Sequence, residues 1–300
     1  MSRVPAGIAQ FSSSAAVPVL AGACALAGLS SDGAELLRLG ENAIYRLAGA
    51  PVVVRIARSA DRLGRVQKEL CVARWLATGG VPAVRVEDEI HQPLVVDGHP
   101  VSFWRAVNGG PEPTQYDLAR LLAAFHALPD CPCALPSFDP FGPSASRLSM
   151  ARGVASSDLE FLRTLCADLN EQFRDLTFTL PVGPIHGDAH TGNLLGDGDQ
   201  VVISDFESSA IGPREWDLLP TAIAVERYGL AEDRYQQFAV AYGFDVRGWS
   251  GYPLLREVRE LTMTTWIMQN IGESAALAAE FARRVGSLRD RDWQRRWNFF

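Results

Sequence analysis

Ile185-His186-Gly187-Asp188-Ala189-His190-Thr191-Gly192-Asn193-Leu194-Leu195 is followed, after a Gly-Asp-Gly-Asp turn at 196–199, by Val201-Val202-Ile203-Ser204-Asp205-Phe206-Glu207. Two apolar segments flank one polar loop, and a second polar loop opens at Asp205. Short apolar runs bounded by Gly and Asp read as strands. The block therefore predicts a small hairpin with Asp188, Asn193 and Asp205 brought to one end.

Three oxygen-bearing side chains at these intervals suit phosphoryl transfer. That reaction asks for an oriented hydroxyl, in-line geometry and cations on the phosphate oxygens, with little covalent work by the protein. An Asp can take the hydroxyl proton, and an Asn carbonyl with a second carboxylate can hold Mg²⁺, which prefers oxygen ligands. His186-x-Asp188-x-His190 also allows a zinc reading, with alternate residues on one strand face. Against zinc, the remaining histidines, His91, His99 and His126, are scattered, and His126 reads as a packed histidine.

Upstream, residues 36–107 read as strands with one helix inserted. Leu36 to Leu39 runs into the turn Gly40-Glu41-Asn42, Ala43 to Leu47 returns, and Val52-Val53-Val54-Arg55-Ile56 is β-branched enough for a buried strand. Leu63, Val66, Leu70, Ala73 and Leu76 recur at helical spacing and predict a helix over 61–77. Asp97-Gly98 between two apolar runs predicts a two-residue hairpin turn. Asn108-Gly109-Gly110-Pro111 reads as a hinge between 1–106 and 107–300. Beyond it, Leu118, Leu121, Leu122, Phe125 and Leu128 line a helix face. Ser157-x-x-Glu160 reads as a capping box opening a second helix, with Leu159, Leu162, Leu165, Leu169 and Phe173 inward. Trp293, Trp297, Phe299 and Phe300 read as packing onto the larger part.

Composition narrows the classes. At 300 residues, 47% hydrophobic and 21% charged, the chain can bury one large core or two. A net charge of −7 argues against a nucleic-acid partner. The balance is uneven, with 11 basic and 9 acidic residues in 1–106 but 17 and 26 in 107–300. A phosphate-tolerant first part and a cation-tolerant second part fit that split. The apolar stretch 17–29 is too short to span a bilayer and reads as a packed helix. Five cysteines without a C-x-x-C pair predict neither a disulfide framework nor a structural zinc site, and point to a reducing cytoplasm.

In order and interval, Asp188, Asn193 and Asp205-Phe206 resemble the catalytic loop and metal loop of the aminoglycoside phosphotransferase and choline kinase group, which writes its loop H-G-D-x-x-x-x-N. Gly40-Glu41-Asn42-Ala43 resembles that group's nucleotide-loop hairpin, Val54-Arg55-Ile56 its phosphate-binding strand, and Gly212-Pro213-Arg214-Glu215-Trp216-Asp217-Leu218 the segment behind its catalytic loop. The resemblance covers roughly 36–220. It implies an α+β, bilobal protein-kinase-like fold, with an antiparallel-sheet lobe bearing one helix over 1–106 and a larger, mainly helical lobe over 107–300.

It further implies an enzyme that phosphorylates a hydroxyl of a small molecule, such as an aminoglycoside-like antibiotic, an amino sugar or an amino alcohol, using ATP or GTP and Mg²⁺. A catalytically weak, nucleotide-binding pseudokinase is the alternative. Asp188 would be the catalytic base with His186 behind it, and Asn193 and Asp205 the metal ligands. Gly40, Glu41, Asn42, Ala43, Arg55 and Glu69 would surround the phosphates, and the backbone from Phe103 through Arg105 to Val107 would receive the base. No nucleic acid or membrane partner is implied, and a monomer or homodimer is expected. Two departures stand out. Arg55 occupies the usual lysine position, while the sole lysine, Lys68, lies beside Glu69. The metal loop reads Asp-Phe-Glu rather than Asp-Phe-Gly, which makes a flip of that loop harder.

Overall fold

The structure, a computed structural model, describes residues 12–40, 42–129 and 131–299. Glu41 and Phe300 lie outside the described residues. The chain forms two compact units, each assembled from three stretches. The first draws on Met1–Glu112, Cys131–Ala134 and Leu195–Glu207, and the second on Pro113–Asp130, Leu135–Leu194 and Ser208–Phe300.

The first unit is built on one antiparallel sheet of β1 (Glu35–Leu39), β2 (Asn42–Arg46), β3 (Val52–Ala57), β5 (His99–Arg105) and β4 (Leu94–Val96), in that spatial order. The β4–β5 turn is the Asp97-Gly98 pair. Both residues have positive φ, 50° and 79°, with Val96 opposite His99, as a mirror-image two-residue turn requires. Alternation along β3 decides what each face carries. Val52, Val54 and Ile56 join Ala43, Tyr45, Val101 and Phe103 in a buried core under helix α1 (Ser13–Leu26), through Ala16, Val19, Leu20 and Ala23. The apolar N-terminal run is thus a packed helix, capped by the Ser12 side chain. Arg55 alternates out of that core to meet helix α2 (Leu63–Thr78).

Contrary to the expectation from cysteine spacing, Cys71 on α2 is disulfide-bonded to Cys133, 62 residues away in sequence. Short-range spacing cannot reveal a partner that the fold delivers from so far along the chain. Cys24, Cys131 and Cys166 are free.

The second unit is mainly helical among its described residues. Its helices are α3 (Gln115–Ala127), α4 (Gly142–Met150), α5 (Ser156–Arg174), α6 (Glu215–Tyr228), α7 (Glu232–Tyr242), α8 (Tyr252–Met268) and α9 (Ala275–Arg289). The expected capping box is not formed. α5 starts two residues earlier, after Ala155 and with no side-chain cap, so Ser157 falls within the first turn. Of the positions expected inward, Leu162 and Leu169 are buried, together with Cys166, while Leu159, Leu165 and Phe173 are only half-buried.

The catalytic-loop block also differs from the single hairpin expected. β6 (Val182–Ile185) pairs with β9 (Ala210–Pro213), while β7 (Leu194–Asp197) pairs with β8 (Gln200–Ile203). Two ribbons replace one because Ile185 finds its partner at Ala210, beyond the second polar loop. Of the closing aromatics, Trp297 is buried against Ser287, whereas Phe299 stacks on Tyr228 but stays largely exposed.

Candidate functional site

In the first unit, Arg55 on β3 and Glu69 on α2 form a 2.9 Å ion pair, with Glu69 almost fully buried. Asp205 stands in the second position after β8, in the left-handed region (φ 66°), an uncommon conformation for a non-glycine residue and a frequent mark of functional loops. Burial, aided by the neighbouring Asp205 and Glu207 carboxylates and opposed by Arg55, pushes the Glu69 carboxyl up to about 7. For Arg55, burial alone would lower the guanidinium, but Glu69, Asp205 and Glu207 raise it.

Glu207, which replaces the expected glycine, sits in a short 3-10 turn over Phe206–Ser208. Its carboxylate takes Arg62 at 3.1 Å and Arg65 at 2.7 Å, and its carbonyl accepts from Lys68 Nζ at 2.6 Å. The first half of α2 thereby anchors the loop after Asp205. With Glu207 taken by Arg62 and Arg65 and Glu69 by Arg55, the Asp205 carboxylate and the Arg55 guanidinium suit a cation-bridged polyphosphate on their donor chemistry.

The other nucleotide candidates of this unit fall on the sheet. Gly40 and Asn42 sit at the β1–β2 turn, where Gly40 N–H donates to Asn42 C=O, and Ala43 is buried in β2. Phe103 is wholly buried. Its N–H donates to Gln92 Oε1 at 2.7 Å and its C=O accepts from Glu87 N–H. Arg105 N–H donates to Arg85 C=O, and Val107 C=O accepts from Arg46 Nη2.

In the second unit, the loop carrying Asp188 is fixed from behind. Asp217, in the first turn of α6, accepts the backbone N–H of His186 at 2.6 Å and of Gly187 at 2.8 Å. The same carboxylate takes His126 Nε2 at 3.0 Å. A carboxylate acceptor there places the ring proton on Nε2, so Nδ1 accepts from Tyr242 O–H at 2.8 Å. Gly187 needs its glycine. Its φ is 85°, and a Cβ there would lie 2.2 Å from Ser208 O. His186 is fully buried, with Nδ1 accepting Asp188 N–H at 3.3 Å. Asn193 donates its amide N–H to Asp188 C=O at 2.9 Å.

Asp188 itself is 42% exposed, and two basic groups attend it: Arg259 Nη2 lies 2.5 Å from Oδ1 and His190 Nε2 3.7 Å from Oδ2. Burial alone would raise its carboxyl, but Arg259 and His190 more than offset that and hold it well below the usual carboxylate range. Arg259, on α8, is 12% exposed and lies over the Trp216 ring, whose Nε1 donates to Gly187 C=O. Sequence reading misses Arg259 and the role of His126. Both arrive through space from helices far along the chain, and no local interval announces them.

The family model for the phosphotransferase enzyme family matches residues 35–258. Comparison with curated proteins gives no match. Among solved structures, a microcompartment-associated aminopropanol kinase superposes with a TM-score of 0.72 at 18% identity, covering 91% of this chain and 95% of that one. An amicoumacin kinase, solved with AMP-PNP, Ca²⁺ and its antibiotic, gives 0.68 at 14% identity, covering 88% and 90%. A choline/ethanolamine kinase family protein from Mesorhizobium loti gives 0.64 at 18% identity, covering 92% of each chain. The fold is protein-kinase-like, as the resemblance implied. With its family model matched from the first strand of the sheet into α8, this chain belongs to the phosphotransferase enzyme family.

Proposed function

We propose that the chain transfers the γ-phosphate of ATP or GTP to a hydroxyl group of a small molecule, with Asp188 taking the hydroxyl proton. The observation that carries this reading is the support behind that carboxylate. Asp217 holds the two preceding N–H groups, so Asp188 is presented from a loop with little freedom to drift, as positioning catalysis demands. His186 belongs to that support. Asn193 and Asp205 would hold Mg²⁺ through oxygen, a match to the metal's preference. Mg²⁺, when bound, supplies charge neutralisation on the phosphate oxygens.

Arg55, kept in place by Glu69, binds the phosphates, and its planar fork does so bidentately where a lysine would act as a point charge. Gly40, Asn42 and Ala43 cover them, with Glu41 assigned there by resemblance, and the segment from Phe103 through Arg105 to Val107 receives the base through backbone groups other than those bonded to Gln92, Glu87, Arg85 and Arg46. We place the enzyme in the cytoplasm because nucleoside triphosphate is supplied there; the Cys71–Cys133 bridge withdraws the support that cysteine spacing gave. The acidic balance of 107–300 favours polyol or amine-bearing acceptors such as aminoglycosides, amino sugars and amino alcohols, in line with the aminopropanol and choline kinases it resembles. A pseudokinase is the second reading, favoured by one observation: Arg259 occupies an oxygen of Asp188.

A coupled assay for nucleoside diphosphate release with Mg·ATP, across a panel of hydroxylated antibiotics, amino sugars, amino alcohols, hydroxy acids and sugar phosphates, tests the proposal. The enzyme reading expects release that Asp188→Asn abolishes. Nucleotide binding with no release in either protein supports the pseudokinase.

A further inference from the structure

Arg259 is not placed like a surface arginine. Its guanidinium lies over Trp216, its Nε–H is buried without a hydrogen-bond acceptor, and Nη2 grips Asp188 Oδ1 at 2.5 Å. The other carboxylate oxygen of Asp188 faces His190. Arg256, one turn earlier on α8, is committed elsewhere, to Glu226 at 3.1 Å and to the Trp293 ring. So the carboxylate proposed to take the hydroxyl proton is held by one fixed cation and attended by a second basic group.

We infer that Arg259 reads a negative charge on the acceptor, and that the acceptor is a small hydroxyl compound bearing a carboxylate or phosphate close to the reacting hydroxyl. This rests on the reading of Asp188 as the group that takes the hydroxyl proton. While Arg259 grips Oδ1, that oxygen is a poorer acceptor for a hydroxyl proton, because the guanidinium stabilises its negative charge. An anionic acceptor gives the guanidinium an equivalent charged partner, preferably bidentate, and so releases Asp188. A neutral acceptor offers no exchange, and an ammonium would add another positive charge beside Arg259. The overall acidity of 107–300 points the other way, but surface charge is screened over roughly 8 Å in physiological salt. Contacts of 2.5 and 3.7 Å at the carboxylate itself outweigh it.

Once released, Asp188 accepts the hydroxyl proton while the acceptor oxygen bonds to the γ-phosphorus. The bond from γ-phosphorus to the β–γ bridging oxygen breaks, and its electron pair leaves with the nucleoside diphosphate. The products are a phosphate monoester, the diphosphate and a proton later lost from Asp188.

The test begins without any acceptor. Acceptor-independent ATP hydrolysis by the intact protein is measured with and without propionate or methyl phosphate, anions that lack a hydroxyl, and with ethylenediamine as the cationic control. We expect either anion to raise hydrolysis severalfold by drawing Arg259 off Asp188, and the diamine to have no such effect; the two anions distinguish carboxylate from phosphate recognition. In parallel, initial transfer rates are compared for the matched sets glycerate, glycerol and 3-amino-1,2-propanediol, and glucose 6-phosphate, glucose and glucosamine. Wild type should favour the anionic member by about tenfold or more in kcat/KM. Arg259→Gln should flatten that preference, Arg259→Lys retain part of it, and Arg259→Glu shift it toward the amine. An unresponsive wild-type hydrolysis, a wild-type preference for the amine, or an equal loss on every acceptor in Arg259→Gln overturns the inference. Hydrolysis insensitive to Asp188→Asn would instead overturn the reading of Asp188 beneath it.

Discussion

Asp217 shows how much one residue can hold. It accepts two buried backbone N–H groups and the His126 ring. Asp217→Ala strands those donors, each at about 1–3 kcal/mol, so chemical denaturation should show a stability loss of several kcal/mol. Glu69 makes a pH prediction. Its folded pKa of about 7 stands above the ordinary 4.5, so between those values the folded chain keeps a proton that the unfolded chain has released. Its contribution to stability is complete below 4.5 and lost as pH rises through about 7. Denaturation midpoints should be lower at pH 8 than at pH 5 in wild type, and this part of the fall should vanish in Glu69→Gln. Asp188, Asn193, Asp205, Arg55 and Glu69 can be singled out in the sequence because their chemistry depends on residue type at set intervals. Arg259 cannot. It is one of 27 arginines, and only the course of α8 brings it to Asp188.

At the scale of elements, strands β2, β3 and β5 and helix α2 are legible because each has a clear period of two or of 3.6. The Asp97-Gly98 turn is legible because few residue pairs tolerate two positive φ values in succession. The ribbon pairing around the catalytic loop is not. Apolar runs say that a strand exists but not which strand it meets, and β6 reaches past β7 and β8 to β9. The α5 start misleads because Ser157 and Glu160 have capping-box spacing, yet the chain enters the helix two residues sooner. The Cys71–Cys133 bridge ties α2, the helix of Glu69, to the 131–134 segment. Closing a loop of that length contributes about 4 kcal/mol in the chain-entropy model. The double variant Cys71→Ala, Cys133→Ala should therefore melt several degrees lower than the oxidised wild type in a thermal scan, and at the same temperature in the presence or absence of dithiothreitol.

Across the whole molecule, the sheet-based unit and the helical unit carry separate stabilising devices. In the second, Arg227 on α6 and Glu260 on α8 form a fully buried pair, 0% exposed on both sides, with Arg227 also donating to the carbonyls of Asp292 and Arg295 and lying against Trp297. Glu260→Leu leaves that guanidinium buried without its counter-charge, a change worth about 3–5 kcal/mol. It should lower the denaturation midpoint and expose the segment after Arg291 to limited proteolysis. The proposed phosphoryl transfer turns on Asp188 acting in the chemistry rather than in folding or nucleotide capture. Single-turnover transfer by Asp188→Asn, measured with the dissociation constant for Mg·ATP in the same samples, tests this most directly. The expected result is a rate at least about a hundredfold below wild type with nucleotide affinity nearly unchanged. Turnover at the wild-type rate would contradict it.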